Sequence, residues 1–285
     1  LLTDEQFMAW GWRVGFILSF GLVMFGLWIR LAVMETPAFA SIKASHRESK
    51  VPFFDMLKRF PGNVVLGLGA RHIDGVFFNI FSVFSISYLT KTLQLPREQS
   101  LIGVMIGAAV LTVFIPIFGM LADRLGRSRM YAWASLITAV SCYPAFLVME
   151  HAGGNIYLVW AAIAIPFGII YAAVYGTVSV FLCDLFDARV RYTGISFVYQ
   201  VSSITAGGMT PIVATLLLSS GGGDPIWITA YVLGSGVLSS ICAFAIARRQ
   251  DAGMVYHDDA HPVAEHDTHP ARHAAAKPSA HAVRA

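Results

Sequence analysis

The chain of 285 residues is 56% hydrophobic and only 13% charged, and its formal net charge is +3. Soluble domains carry about 25% charged residues, so a soluble protein of this length could not bury so much apolar surface. The composition therefore excludes an ordinary soluble enzyme or binding domain and predicts an integral membrane protein. The three cysteines lie in or beside apolar runs, which indicates buried side chains rather than disulfides or metal ligands: Cys142, Cys183 and Cys242.

Seven apolar runs are each long enough to cross a bilayer, which takes about 20 helical residues. They are continuously apolar and too long for the strands of a membrane β-barrel. The predicted fold is therefore an all-α integral membrane bundle with seven transmembrane helices. The runs lie near residues 12–33, 63–89, 101–122, 130–149, 157–182, 194–218 and 226–247.

Most of the lysines and arginines fall in alternate connections between these runs. They are concentrated in residues 30–62, 123–129 and 183–192 and in the tail after residue 247. Connections rich in Lys and Arg remain on the cytoplasmic side of a membrane. The pattern predicts a multi-pass protein of the cell membrane with a cytoplasmic C-terminus.

Two stretches are too polar to cross a membrane. Residues 34–62 are interpreted as a cytoplasmic linker, and "VPFFDMLKRFPG" (51–62) has the spacing of a short helix on the membrane surface, with a solvated linker as the alternative. Residues 249–285 hold six of the nine histidines at irregular spacing. We expect a disordered tail there, with metal binding as the alternative.

A dense charge cluster, "GMLADRLGRSRM" (119–130), separates two apolar runs. We expect its acid to end one helix and its second glycine to form a tight turn before the next helix. An acid here can pair with an arginine in one conformation and release it in another, as a gate requires. The alternative is that the arginines only anchor the topology. The residues of this predicted gating loop are Gly119, Asp123, Arg124, Gly126, Arg127 and Arg129.

Two opposite charges lie inside the second apolar run. Each would cost about 2.5–3.5 kcal/mol on insertion scales, so their presence indicates a function. Arg71 and Asp74 share a helix face with Ser82, and Asn79 is adjacent. Arg71 could bind a carboxylate, while Asp74 could take up a proton or hold Arg71 until substrate arrives. The alternative is a buried pair that only orders its helix.

Polar side chains also recur at helical spacing in two later runs. Tyr171 and Tyr175 lie four residues apart, and Gln200 belongs to a similar stripe. These side chains could hydrogen-bond a hydroxylated acid at the bilayer midplane, or they could serve only in helix packing. Arg191 and Tyr192 begin their run and are interpreted as gate or anchor residues at the cytoplasmic mouth.

The cluster at 119–130 resembles the signature loop of the major facilitator superfamily, although Ser128 interrupts its basic positions. Residues 10–39, 185–200 and 205–218 resemble the metabolite:proton symporter family, and the likeness covers about residues 5–248. The resemblance is greatest to the shikimate and related carboxylate transporters. It implies a twelve-helix fold in two halves.

In that fold the seven runs would be helices six to twelve. Residues 1–33 would be the last helix of the N-terminal half, 34–62 the linker between the halves, 63–248 the six-helix C-terminal half and 249–285 the tail. Helices one to five would then be absent, and a missing N-terminal half would be the expected protein partner.

The resemblance implies a secondary transporter that couples proton movement to symport of a small organic carboxylate by alternating access. An enzyme is not expected, because the sequence has no His-Glu metal motif, serine nucleophile elbow or phosphate-binding loop. The expected partners are an organic acid, a proton and the lipid bilayer, with no cofactor, metal or nucleic acid. Two alternatives remain: a fragment that is inactive without its N-terminal half, and a symporter of a betaine- or proline-like zwitterion.

Overall fold

A computed structural model describes residues 4–32, 52–187 and 190–252 of the chain. The predicted tail from residue 253 onward and most of the predicted linker lie outside the described residues. The chain divides into two compact units, Leu1–Lys50 and Val51–Ala285.

The first unit contains one long apolar helix, α1, over Met8–Ala32. A π-helical turn over Phe7–Gly11 forms its N-terminal end, and Trp12–Ala32 is α-helical. At about 1.5 Å of rise per residue, its 25 residues are long enough to cross the roughly 30 Å hydrocarbon core of a bilayer. The predicted first transmembrane helix is therefore present.

The described residues of the second unit form one short helix and six long ones. The short helix α2 covers Pro52–Arg59. Together with α1, the six long helices make seven in the described part of the chain that are long and apolar enough to span a membrane, which confirms the predicted helices. The six are α3 Pro61–Lys91, α4 Arg97–Leu125, α5 Arg127–Glu150, α6 Ile156–Cys183, α7 Arg191–Ser220 and α8 Ile226–Asp251.

The ends of these helices follow from local sequence. Pro61 lies in the first turn of α3, where the missing N–H of proline costs no hydrogen bond. Gly126 alone joins α4 to α5 with φ +91°, a conformation that side chains other than glycine rarely adopt, so the predicted tight turn is present. The side chain of Asn155 caps α6 by accepting a hydrogen bond from the backbone N–H of Tyr157.

The predicted helix before α3 is also present, as α2. Its Met56 is fully buried, and the ring of Phe53 contacts Phe197 of α7 with ring centroids 5.5 Å apart. These contacts tie α2 to the bundle. Its predicted place on a membrane surface remains an expectation.

Small residues let the long helices pack closely. A Cβ at Gly176 of α6 would lie 2.6 Å from the carbonyl oxygen of Ile115 on α4. A Cβ at Gly119 would lie 3.6 Å from the carbonyl oxygen of Gly176, so the predicted close approach at Gly119 involves the same pair of helices. Because lipid provides no hydrophobic drive between helices, such close backbone contact is a main source of their association.

Three helices of the second unit depart from regular α-helix near their middle. Helix α3 is interrupted at Arg71 and is π-helical over Ile80–Phe84. Helices α6 and α7 have π-helical segments over Ala164–Ile170 and Ser203–Gly208. Pro166, which has no N–H to donate, explains the irregularity in α6. π-helical segments frequently mark functional sites, and these three helices enclose the cavity described below.

We expect Gly176→Ala to destabilise the bundle by about 1–3 kcal/mol, because the new methyl group would collide with the backbone of α4. This loss should appear as a lower melting temperature in detergent, even though alanine favours helix by about 1 kcal/mol over glycine. Gly234→Ala is the matched control, since a Cβ there meets nothing within 4 Å. Equal melting temperatures of the two variants would contradict the proposed close contact.

Candidate functional site

A cavity of about 510 Å³ opens between α3, α6 and α7. Its wall combines one cation and one anion with four aromatic rings and a few small or polar residues. The lining residues are Arg71, Asp74, Gly75, Phe78, Asn79, Val83, Tyr171, Tyr175, Tyr199, Ser203, Gly207, Gly208 and Pro211. A mostly apolar pocket with a few convergent polar groups is the usual form of a small-molecule site.

The guanidinium of Arg71 is held by α7 as well as by its own helix. It donates hydrogen bonds to the hydroxyls of Ser202 (2.6 Å) and Ser203 (3.3 Å) and to the carbonyl of Tyr199 (3.3 Å). It also lies 3.5 Å from the ring centroid of Tyr199, a cation–π distance. Helix α7 therefore fixes the direction in which this cation points.

Asp74 completes the charged pair from the next turn of α3. Its carboxylate lies 3.1 Å from the guanidinium of Arg71 and accepts a 2.6 Å hydrogen bond from the hydroxyl of Tyr171 on α6. Both charged side chains are almost fully buried, at 7% and 4% exposed. The pair thus links α3 to α6 and α7 from within the bundle.

The aromatic ring of Tyr171 is itself packed into a stack. It lies against Phe77 and Phe167, with ring centroids 5.4 Å and 5.8 Å apart. Phe81 extends this stack. The packing fixes the hydroxyl of Tyr171 toward Asp74, so the carboxylate has a partner of defined position.

One donor of Arg71 is left over. Its Nε–H is buried and has no hydrogen-bond partner among the described residues. Burying a charge costs several kcal/mol unless its hydrogen bonds are made, so an unused donor on a buried arginine is unusual for a purely structural pair. The described residues thus leave at least one donor of this guanidinium without an acceptor.

The backbones of α3 and α7 come close beside the pair. A Cβ at Gly75 would lie 2.9 Å from the Cβ of Ala206 and 3.1 Å from the backbone nitrogen of Gly207. Asn79 lies one turn further along α3, and its amide donates to the carbonyl of Gly75 at 2.9 Å. Gly75 is therefore needed for the approach that brings Arg71 to its partners on α7.

Most of the predicted pathway residues meet at this cavity. Arg71, Asp74, Asn79, Tyr171 and Tyr175 all line it. Their predicted roles in binding and proton transfer remain expectations, but their proximity to one another is a feature of the structure.

Two predicted pathway residues lie elsewhere. Ser82 lines a neighbouring cavity of about 550 Å³ near the end of α3, and Val83 borders both cavities. Gln200 is exposed on α7 and does not line the cavity around Arg71. Adjacent residues on a helix point about 100° apart, so the stripe that faces the cavity passes through Tyr199 rather than Gln200.

Tyr199 and Ser202 were not predicted. The signal that could have found Tyr199 is its four-residue spacing with Ser203 and Gly207, all of which line the cavity; this spacing does not include Ser202. A tyrosine in a membrane helix is also a common packing residue, so its spacing alone does not single it out.

The predicted gating loop lies at the C-terminal end of α4, whereas the cavity lined by Ser82 lies at its N-terminal end. Arg127 begins α5 and bridges two acids: its guanidinium is 3.0 Å from Asp123 at the end of α4 and 3.1 Å from Asp184 just beyond α6. All three side chains are more than one-third exposed. The acid and the arginine of the loop do pair, and the pair also reaches a third helix.

The rest of the loop contacts the end of α8. Arg129 lies 2.8 Å from Asp251, and Ser128 donates a 2.6 Å hydrogen bond to the side chain of Gln250. The serine that interrupts the basic pattern is thus a link to α8. Arg124 is exposed.

The two residues predicted at the mouth begin α7. Nε of Arg191 donates to the carbonyl of Phe186 at 3.2 Å, a contact typical of an anchor. Tyr192 is exposed. Both lie at the same end of the bundle as the gating loop, because the connection from α6 to α7 contains Asp184.

Comparison with known proteins identifies related sequences. The pattern of the Major Facilitator Superfamily matches residues 73–278, well over half of the chain. No solved structure matches the chain significantly.

Three relatives illustrate the range of similar proteins. The shikimate transporter of Escherichia coli (strain K12) is 32% identical over 255 residues, covering 88% of this chain and 58% of the relative. The inner membrane metabolite transport protein YhjE of the same strain is 34% identical over 227 residues, covering 78% and 51%. A putative proline/betaine transporter of Staphylococcus aureus (strain MSSA476) is 28% identical over 243 residues, covering 83% and 50%. The chain spans about half the length of the curated relatives it matches.

The buried and the exposed ion pairs should differ in their effect on stability. Asp74→Asn leaves Arg71 as an uncompensated buried charge, so we expect a loss of about 3–5 kcal/mol in the free energy of unfolding. Asp184→Asn makes the same chemical change beside a half-exposed arginine and should cost less than about 1 kcal/mol. Denaturant titration in mixed micelles measures both values. Similar losses for the two variants would contradict the structural importance of the buried pair.

Proposed function

This chain belongs to the major facilitator superfamily, and from that premise we propose that it takes part in proton-coupled symport of a small organic carboxylate across the cell membrane. The superfamily places it among multi-pass membrane transporters rather than enzymes. The substrate class, the proton coupling and the alternating-access mechanism are the proposal. The observation that carries it is the Arg71–Asp74 pair at the wall of a cavity inside the bundle.

Arg71 is the proposed ligand for the substrate carboxylate. A guanidinium can hold a carboxylate through two parallel hydrogen bonds, and the buried Nε–H of Arg71 has no partner among the described residues. The hydroxyls of Tyr175 and Ser203 and the amide of Asn79 line the same cavity and could bind the hydroxyl groups of a hydroxy acid. The cavity of about 510 Å³ is within the size range of small-molecule sites.

Asp74 is the proposed proton acceptor. When an oxygen of its carboxylate takes up a proton, the Coulomb attraction between Asp74 and Arg71 is lost. Arg71 can then exchange this partner for the carboxylate of the substrate, so that binding of the anion follows binding of the proton. Loss of the proton would restore the pair and displace the substrate. The direct 3.1 Å contact between the two side chains supports this coupling.

The gating loop where α4 meets α5, which contains Asp123 and Arg127, is the proposed gate. Arg127 bridges the ends of α4 and α6, and ion pairs as exposed as this one contribute only about 0–1 kcal/mol. A contact of this size can be broken and remade during a transport cycle without a large energetic barrier. The distribution of lysines and arginines supports a cytoplasmic position for this end.

A second substrate class has its own support. Phe78, Tyr171, Tyr175 and Tyr199 place four aromatic rings around the cavity, and such rings bind quaternary ammonium groups through cation–π interactions. A betaine-like zwitterion would then place its carboxylate at Arg71 and its ammonium group against these rings. Some similar proteins are named as proline/betaine transporters, which supports the same alternative.

The assay should also establish whether the chain is active alone. Cells without their own carboxylate and betaine uptake would produce the chain by itself or together with a chain that supplies the first five helices of the fold. Entry of labelled shikimate, oxoglutarate and glycine betaine would be followed under an imposed pH gradient. Uptake only with both chains supports a site formed between two halves, and uptake by this chain alone would contradict that requirement.

Asp74→Asn should abolish accumulation driven by a pH gradient while leaving exchange of labelled for unlabelled substrate at equal pH. The amide cannot take up the coupled proton, but the cavity and Arg71 remain. We expect a loss of accumulation of roughly tenfold or more, as is typical when a positioned proton-transfer group is removed. Retained exchange would also demonstrate that the variant is folded.

Asp224→Asn is the control for this experiment, because Asp224 lies in the connection between α7 and α8 and does not line the cavity around Arg71. It should accumulate substrate like the unchanged protein. Proton-dependent accumulation by Asp74→Asn at the normal level would exclude Asp74 as the coupling residue.

Substitutions of Tyr175 should separate the two substrate classes. If the ring holds an ammonium group, Tyr175→Phe should keep the KM for glycine betaine, while Tyr175→Ala should raise it by about tenfold or more, the equivalent of a desolvated cation–π contact. If the hydroxyl binds a hydroxy acid, both variants should raise the KM for that acid by about two- to tenfold. If the unchanged protein and both variants have equal KM values for both substrates, Tyr175 binds neither of them.

A further inference from the structure

Helix α3 is opened by a side chain at the turn that carries Arg71. The hydroxyl of Ser239 on α8 donates a 3.0 Å hydrogen bond to the carbonyl of Gly69 and accepts a 2.9 Å hydrogen bond from the N–H of Ile73. In a regular α-helix these two backbone groups would bond directly to each other, because they are four residues apart. A side chain inserted into this ladder is a recognised cause of a helix kink.

A second hydroxyl contacts the same turn from another helix. Tyr131 of α5 donates a 3.1 Å hydrogen bond to the carbonyl of Ala70, whose regular partner would be the N–H of Asp74. Tyr131 is fully buried, and its ring stacks on Phe181 with centroids 4.6 Å apart. The interruption between the α-helical segments Pro61–Ala70 and His72–Asn79 coincides with these two contacts.

The opened turn is held from two sides. Its backbone is bonded by α5 and α8 through Tyr131 and Ser239, neither of which lines the cavity. The side chains of Arg71 and Asp74 are bonded instead by α7 and α6, through groups that do line it or adjoin it. Contacts on the cavity side can be exchanged for a ligand, while contacts on the backbone side can persist.

We propose that Ser239 and Tyr131 are positioning residues, which hold the opened turn of α3 so that Arg71 and Asp74 face the cavity. They act through the backbone at Gly69, Ala70 and Ile73 and do not touch the substrate. When the guanidinium of Arg71 leaves Asp74 for a carboxylate, these two hydroxyls keep its Cα in place. The effect on transport rests on the proposed function, whereas the effect on the accessibility of Arg71 does not.

A simpler role would be to satisfy buried backbone groups, as hydroxyls in membrane helices often do. In that case their removal would lower stability without changing the environment of Arg71. A measurement on Arg71 itself therefore distinguishes the two roles.

The test uses Ser239→Ala and Tyr131→Phe, each of which removes one hydroxyl. The Tyr131→Phe variant keeps the ring that stacks on Phe181, so it preserves the packing of α5. Membranes containing the protein would be treated with phenylglyoxal, and modification of Arg71 would be followed over time by mass spectrometry of its peptide. We expect the rate at Arg71 to rise by about two- to tenfold in both variants, the factor expected from one lost hydrogen bond.

Ser235→Ala is the matched control. Ser235 is buried one turn before Ser239 on the same helix, but among the described residues its hydroxyl donates to the carbonyl of Tyr231 in its own helix, at 2.9 Å. Its removal should leave the labelling of Arg71 unchanged. No rise in either test variant, or an equal rise in the control, would overturn the positioning role.

Transport is measured separately on the same variants. A positioning role predicts a higher KM for the carboxylate substrate with kcat changed by less than about twofold, since binding at Arg71 is weakened while the proton acceptor remains. Faster labelling of Arg71 in a protein that transports none of the tested solutes would retain the positioning role and reject the proposed function. Unchanged labelling of Arg71 in variants of a protein that does transport the carboxylate would reject the positioning role and retain the proposed function.

Discussion

A guanidinium and a carboxylate inside an apolar helix need partners from the protein, because the bilayer offers them none. In this chain the partners of Arg71 and Asp74 come from α6 and α7, and the backbone of their turn is bonded from α5 and α8. Four helices are therefore positioned around one turn of α3. These helices meet around the buried Arg71–Asp74 pair. The cavity lies on the side where α6 and α7 contact the two charged side chains.

The cavity depends on departures from regular helix packing. Gly75 brings α3 against α7 closely enough for Arg71 to reach the hydroxyls of Ser202 and Ser203. The π-helical segments of α3, α6 and α7 lie in the three helices that enclose the cavity. π-helical segments lose regular α-helical hydrogen bonds and are frequent at functional sites, so their presence together around one polar cluster supports the proposed binding site.

The sequence was sufficient for the helices and for the charged pair, since apolar length predicts a span and a buried charge is too costly to be incidental. The sequence was insufficient to identify the residues that contact this pair and its turn of α3. Gln200 was predicted to line the pathway as part of a polar stripe, but the face of α7 that meets the cavity passes through Tyr199. Ser239 and Tyr131 could not be predicted, because a hydroxyl in an apolar helix usually bonds to its own backbone, and only the approach of α8 and α5 brings these two to α3.

The two charged clusters of this bundle suit opposite tasks because water reaches them differently. At the proposed gating loop, Arg127, Asp123 and Asp184 are partly exposed, so water could replace each contact at little cost if the helix ends separated. At the cavity, both side chains of the Arg71–Asp74 pair are almost fully buried, so water compensates poorly for their separation; in the proposed mechanism, a proton on Asp74 and a new anion at Arg71 make that separation favourable. The exposed cluster can therefore open and close with the motion of the bundle at little cost, whereas separation of the buried pair costs more unless its charges change or find new partners. The proposed proton-coupled transport requires both properties, one at the proposed gate and the other at the proposed binding site.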